Sequence, residues 1–277
     1  MSRIAMTVMN DMRDDARVIR EARSLAAAGH DVQVLALRSA DLPTTQERDG
    51  FTIRRVADFT TAPVRHPIRK LSERRARERV LRAAVIDSEP DVVHCHDTNT
   101  LGIGARAADS LGIPYVYDAH ELYPDSLTQR PFQGSAPVQA YLRAAEGRWV
   151  PRASAVITVC EGAAAVLHGR FEVDPVIVAN CPELQPIADR SLLKRTLGLS
   201  PDALVVLYQG GLQIGRAIDE LVDAIARVPQ AHLVVQGRGE YEQPMRQRIA
   251  ERGIDHRVTF MGQVPHEQLF ELTCGAD

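Results

Sequence analysis

Short apolar runs that stop abruptly in polar residues recur along this chain. Ile4 to Met9 ends in Asn10-Asp11-Met12-Arg13-Asp14-Asp15, and Asp91-Val92-Val93-His94-Cys95 ends in His96-Asp97-Thr98-Asn99-Thr100. Pro114-Tyr115-Val116-Tyr117 ends in Asp118-Ala119-His120-Glu121-Leu122, and Ala155 to Thr158 ends in Val159-Cys160-Glu161-Gly162. Between such runs lie helical patterns. One carries Val18, Ile19, Ala22, Leu25 and Ala26 on a single face, with Asp14 or Asp15 as cap and Gly29 as stop. Another is the Ala-rich segment Leu101 to Leu111, closed by Gly112. Buried strands alternating with helices predict parallel βαβ units, whose polar strand ends gather on one rim of the sheet, where open α/β sheets bind ligands.

The alternation predicts further strands at Val32 to Leu37, Phe51 to Val56 and Val176 to Ala179, with a polar loop holding Pro43 and Gly50 before the second of these. It weakens from Pro182 to Pro201, where a connector and a short helix, Ser191 to Leu197, are expected. It then resumes with strands at Leu204 to Tyr208, His232 to Val235 and Val258 to Met261, and helices at Arg216 to Arg227, Glu242 to Arg252 and from Pro265. The expected fold is α/β, with two Rossmann-like doubly wound domains covering residues 1–185 and 186–277. The second is expected to be incomplete. Its fourth strand is not found, which predicts a bare apolar edge on its first strand, and truncation is the simplest account.

Composition narrows the classes. A length of 277 residues favours two domains, and 45% hydrophobic with 25% charged residues is ordinary for a globular protein. A formal net charge of -3 gives no reason to expect nucleic acid as a partner. Cys95, Cys160, Cys181 and Cys274 are scattered, which argues against a disulfide framework or thiolate zinc site and for a reducing cytoplasm. No secretory leader or membrane-spanning run is read, so the expected location is cytoplasmic. Arg65 to Arg82 is strongly basic (Arg65, Arg69, Lys70, Arg74, Arg75, Arg77, Arg79, Arg82). A solvated helix face is the simpler reading. Peripheral docking on anionic lipid at the inner membrane face is the sharper one.

Four polar strand ends on one rim, Asn10-Asp11, His96-Asp97, His120-Glu121 and Cys160-Glu161, are a stronger signal than any single residue. His94-Cys95-His96-Asp97 tempts a metal reading, but along a strand His94 and His96 share a face while Cys95 points away, so no metal is expected. His120, between Asp118 and Glu121, is a candidate catalyst. In the second half Gly210-Gly211-Leu212-Gln213-Ile214-Gly215-Arg216 joins a strand to a helix. Glycines let a ligand approach the backbone, the helix start attracts anions, and Arg216 supplies a cation, so this loop is expected to hold a phosphate. It is neither a P-loop nor a dinucleotide fingerprint. Gly237-Arg238-Gly239 and Gly262-Gln263-Val264 lie on the same rim.

These residues resemble a retaining glycosyltransferase of family four with GT-B architecture. The resemblance spans essentially the whole chain and rests on Asp15-x-Arg17-Val18, Glu21-Ala22-x-x-Leu25-Ala26-x-x-Gly29-His30-x-Val32, His94-x-His96-Asp97-x-Asn99-x-Leu101 and Tyr117-Asp118-Ala119-His120-Glu121-Leu122. It continues through Val156-Ile157-Thr158-Val159-x-Glu161-Gly162, Asn180-x-Pro182, Tyr208-Gln209-Gly210-Gly211, Gly237-x-Gly239 and Phe260-x-Gly262-x-Val264-Pro265.

The resemblance implies sugar transfer from a nucleotide-diphosphate donor to an acceptor hydroxyl, with retention, in polysaccharide or glycoconjugate synthesis of the cell envelope. The acceptor would be a saccharide or lipid-linked saccharide. It implies no cofactor and no metal. His120 would contact the reacting sugar and Arg216 the diphosphate. Gly210, Gly211, Gly215, Gly237, Gly239, Gly262 and Val264 would line the donor pocket. Asn10, Asp11, His96, Asp97, Asn99 and Glu121 would lie on the acceptor side. A basic residue usual in the family is replaced by Gly211, and the family's glutamate pair is expected beyond Asp277. The rivals are a nucleotide-sugar 2-epimerase, which would act on the donor alone, and a non-catalytic nucleotide-binding remnant.

Overall fold

The structure is a computed structural model that describes residues 1–13, 15–58, 67–123, 125, 136–182, 184–187 and 189–277; of residues 57–58, 67–72 and 266–267 it describes the backbone alone. The chain divides into two compact units, Met1–Cys181 and Pro182–Asp277. That boundary falls just before the connector around Pro186 to which the weakening pattern pointed.

In the first unit the elements are β1 (Arg3–Thr7), α1 (Ala16–Ala27), β2 (Asp31–Arg38), β3 (Thr45–Arg48), β4 (Phe51–Asp58), α2 (Pro67–Asp87), β5 (Val92–His96) and α3 (Asp97–Leu111). They continue as β6 (Tyr115–Ala119), α4 (Ala136–Trp149), β7 (Ala155–Thr158), α5 (Glu161–Phe171) and β8 (Val176–Ile177). The strands form one sheet in the order β3-β4-β2-β1-β5-β6-β7-β8. All pairings are parallel except β3 with β4. The strand order reverses between β1 and β5, so the loops after these two strands flank the switch-point crevice. Two apolar clusters cover the faces, one around Met6, Val34 and Ile53 under α1, the other around Val93, Leu101 and Tyr117 under α2 and α3.

The second unit holds α6 (Leu192–Thr196), β9 (Leu204–Gln209), α7 (Ile218–Arg227), β10 (Ala231–Gln236), α8 (Glu242–Arg252), β11 (Val258–Gly262) and α9 (His266–Cys274). Its strands are parallel in the order β11-β10-β9. Leu233 and Val235 face α7 and α8, while Val205 and Val234 pack with Leu193 and Leu272. The edge of β9 is not bare throughout. The Asp277 amide donates to the Val205 carbonyl at 3.0 Å, and the Val205 amide donates to the Asp277 carboxylate at 2.8 Å.

Three local expectations are corrected. The loop before Phe51 contains the edge strand β3, because Asp49-Gly50, both with positive φ (48° and 84°), makes the tight turn of a hairpin. The polar tail after β5 is the first turn of α3, which begins at Asp97 rather than Leu101. Helix α7 begins at Ile218, so Arg216 stands in the turn before it. The basic segment is helical from Pro67; Arg65 and the side chains of Arg69 and Lys70 lie outside the described residues, as do the Asp14 alternative for the α1 cap and most of the Gln129–Pro137 loop. Within that helix Arg74 pairs with Glu78 at 2.9 Å, while Leu81, Ala84 and Val85 are buried against the sheet.

Candidate functional site

In the first unit, the loop after β1 is held to the start of α1 by one side chain. Asp15 caps the helix by accepting from the Val18 amide at 3.3 Å, and it accepts from Asn10 Nδ2 at 2.6 Å. Arg55 Nε donates to the Asp11 carbonyl at 2.7 Å, which fixes the same loop from the other side. After β5, Asp97 takes a left-handed backbone, φ 61°, a strained conformation for a residue other than glycine. Its carboxylate accepts from the His120 amide at 3.2 Å and lies 3.6 Å from His120 Nδ1. The strain is thus tied to the placement of the histidine that follows β6.

These loops open onto a cleft of about 580 Å³ lined by Asn10, Asp11, Asp97, His120 and Glu121 among others. A smaller hollow of about 110 Å³ beside it is lined by His96 and Asn99 together with Asn10, Asp97 and His120. All seven residues expected in the first unit therefore gather at one rim. Cys160 and Glu161, at the end of β7, line neither hollow.

Arg13, Arg17 and Arg20, of which Arg17 carries part of the family resemblance but none was expected as a site residue, line the cleft from the loop and the first turns of α1. Their signal was position: a helix that starts straight after a strand-end loop presents its first two turns to the rim. Arg20 also donates to Asn180, which ties the segment after β8 to α1.

Behind His120 lies a buried polar cluster. The His94 and His96 rings stack with centroids 4.4 Å apart, and Cys95 points into the opposite core, against Gly104. His120 Nε2 lies 3.1 Å from His96 Nδ1 and 3.1 Å from Asp118 Oδ2. Burial by itself would raise the Asp118 carboxyl. The imidazoles of His120, His94 and His96 outweigh it and hold the group well below the usual carboxylate range. Glu21, reaching in from α1, is pushed up to about 9 by burial and then by the Asp118 charge. Burial lowers His96 to about 3, helped by His94, and raises Asp97 to about 6. The Cys95 thiol is pushed up to about 12 by burial, which makes it an inert core residue. A separate buried group, Glu146, accepts from Thr98 Oγ1 at 2.7 Å and from the Tyr117 hydroxyl at 3.3 Å.

The rim of the second unit is built from backbone. The Gly210 amide donates to the Gln236 carbonyl at 2.9 Å, the Leu212 amide to the Arg238 carbonyl at 3.0 Å, and the Gly237 amide to the Gly262 carbonyl at 2.8 Å. The three expected loops, around Gly210–Gly211, Gly237–Gly239 and Gly262–Val264, are thereby laced side by side. A Cβ on Gly237 would overlap the Gly210 carbonyl oxygen, and one on Gly239 the Leu212 carbonyl oxygen. These two glycines are required by loop-on-loop packing, whatever ligand the rim takes. Gly210, Gly211, Gly215 and Arg216 are exposed, and Val264 is half-buried. The first turn of α7 carries Asp219 and Glu220, whose negative charge offsets the helix-end field. Arg216 is therefore the stronger anion-attracting group of that loop.

No helix among the described residues is long and apolar enough to cross a membrane. The α/β architecture, with its parallel-dominated sheets, is of the GT-B type. The sequence pattern of Glycosyltransferase Family 4 matches residues 16–182, and that of Glycosyl transferases group 1 matches residues 189–277. The chain belongs to Glycosyltransferase Family 4.

An uncharacterized glycosyltransferase of Methanocaldococcus jannaschii is 25% identical over 286 residues, covering 92% of this chain and 67% of that one. A D-inositol 3-phosphate glycosyltransferase of Mycolicibacterium gilvum is 28% identical over 282 residues, covering 94% of this chain and 62% of that one. The chain thus spans about two thirds of the length of these relatives. Among solved structures, sucrose-phosphate synthase from Thermosynechococcus elongatus matches with TM-score 0.83 at 19% identity, over 100% of this chain and 74% of that one. Anabaena HepE in complex with UDP and glucose matches with TM-score 0.70 at 19% identity, over 100% of this chain and 73% of that one.

Proposed function

We propose that the protein transfers a sugar from a nucleotide-diphosphate sugar to an acceptor hydroxyl with retention of configuration, in the synthesis of a polysaccharide or glycoconjugate. The second unit takes the donor and the first unit takes the acceptor. The observation that carries this reading is the laced backbone rim of the second unit, in a member of Glycosyltransferase Family 4. Such a rim lets a diphosphate approach the main chain closely, with the exposed Arg216 beside it. UDP is the natural probe, since the Anabaena neighbour was solved with it.

In this reading Arg216 neutralises the charge that develops on the departing diphosphate, and that phosphate takes the proton from the attacking hydroxyl. Asn10, Asp11, Asp97 and Glu121 line the cleft with His120 and offer acceptors for sugar hydroxyls. His120 is the residue assigned to the reacting sugar.

Arg216→Ala is expected to weaken UDP binding, measured by calorimetry, by roughly tenfold or more, the worth of one charge-assisted hydrogen bond. Unchanged affinity removes the phosphate role. Incubation with UDP-glucose and no acceptor is expected to leave the sugar unaltered; formation of a new sugar nucleotide would overturn transfer in favour of epimerisation.

A further inference from the structure

Where α1, β5 and β6 of the first unit meet, four side chains aim at one point: Glu21 from α1, His94 and His96 from β5, and Asp118 from β6. Each offers a ligand atom, and these atoms all lie within 4.8 Å of one another. Asp118 Oδ2 is 3.4 Å from His94 Nε2 and 3.5 Å from His96 Nδ1, and His96 Nδ1 is 3.7 Å from Glu21 Oε2. His94, His96 and Asp118 are only 6%, 3% and 1% exposed, so water does not compete freely for them. Yet His94 Nε2, Asp118 Oδ2 and Glu21 Oε2 have no hydrogen-bond partner of acceptable geometry. One orphaned buried polar atom costs roughly 1–3 kcal/mol, so three at one point call for a shared partner.

The geometry points to a binding site for one divalent cation of the zinc class, formed by Glu21, His94, His96 and Asp118. Two nitrogens and two carboxylate oxygens are a donor set that zinc accepts. Bonds of about 2.0–2.2 Å place tetrahedral ligands roughly 3.3–3.6 Å apart, close to the 3.4, 3.5 and 3.7 Å of the three pairs named above. Calcium and magnesium prefer larger all-oxygen shells. The ion would cross-link the helix to the two strand ends from which Asp97 and His120 emerge. His120 Nε2, 3.1 Å from both His96 Nδ1 and Asp118 Oδ2, would rest beside it. The site belongs to the first unit and the rim proposed for the diphosphate to the second, and its test does not depend on sugar transfer.

The native protein is stripped with a chelator, dialysed against Zn²⁺, and its metal content measured after gel filtration; a parallel sample is titrated with Co²⁺. The expected result is one equivalent per chain, a higher Tm with Zn²⁺, and a Co²⁺ spectrum of four-coordinate intensity without thiolate charge transfer. Glu21→Gln and His94→Ala should each weaken binding by more than about 100-fold, the upper figure for loss of a mere outer-shell partner. Replacing the exposed Cys160 and Cys181 by serine should leave binding unchanged. Failure of the native chain to retain stoichiometric Zn²⁺, a thiolate band, or full retention by a folded His94→Ala variant would each overturn the site. The native chain decides the question even if a variant does not fold.

Discussion

The two strand-end rims differ in the material they are made of. In the first unit the rim is a set of side chains, many titratable and several buried, with Asp118 facing three imidazoles. In the second it is main chain, with three glycine-bearing loops bonded to one another and Arg216 exposed beside them. Two parallel sheets of the same plan yield the two rims, because a strand end presents backbone where side chains are absent and chemistry where they are present. The first kind of rim responds to charge and pH. The second responds to bulk. Variants that add volume without charge, or charge without volume, separate the two.

The largest effect is expected from volume at the second rim. Gly237→Ala would place its Cβ into the Gly210 carbonyl on a backbone at φ +138°, where neither side can yield. A loss of about 4 kcal/mol or more is expected by denaturant titration. In the first unit, Gly162→Ala meets nothing within 4 Å and lies in a helix, so it should be neutral or slightly stabilising. Equal tolerance of both substitutions would erase the distinction between the rims.

Charge at the first rim comes next. Asp118→Asn leaves the volume unchanged but removes the carboxylate that faces His94, His96 and His120, and a loss of about 3 kcal/mol at pH 7 is expected. The folded Asp118 ionises at lower pH than the unfolded one. Its contribution is therefore fully present above the unfolded value and fades as pH falls through the folded one. A denaturant midpoint that does not move on substitution would mean the imidazoles are held without that charge.

The smallest effect is a gain. Burial raises Glu146 to about 7, so the folded state favours its neutral form. For an acid raised in this way, stability declines as pH rises from the unfolded value through about 7. Glu146→Gln keeps an oxygen acceptor for Thr98 and Tyr117 and avoids the ionisation. It should raise stability at pH 8 by on the order of 2 kcal/mol while changing little at pH 5, read from Tm at the two pH values. A gain of equal size at pH 5 would contradict the titration.

Much of this was legible along the chain. The apolar runs predicted the parallel strands to within a residue or two, since a strand buried on both faces must be apolar throughout its length. The polar residues that end them, Asn10, Asp11, His96, Asp97, His120 and Glu121, were found for the same reason, because burial ends where the strand does. The hairpin strand β3 was missed because Thr45 to Arg48 is polar on an exposed edge, and its signal lay in Asp49-Gly50. Helix α7 was started too early because Arg216 and Ala217 fit a helical pattern, and only the left-handed backbone at Ala217, φ 52°, breaks it.

Sequence alone determined the α/β alternation and the polar strand ends, because periodicity and strand-end polarity are local properties of a chain. It also pointed correctly to the opposite facing of Cys95 and His94. Only the tertiary structure decided that Glu21 meets His94, His96 and Asp118, and that Gly237 lies against Gly210. Those encounters depend on strand order, with β1 beside β5 and β9 beside β10. Order is set by how whole layers pack, so residues 73 or 97 positions from Glu21 become its neighbours through no feature of their own stretch.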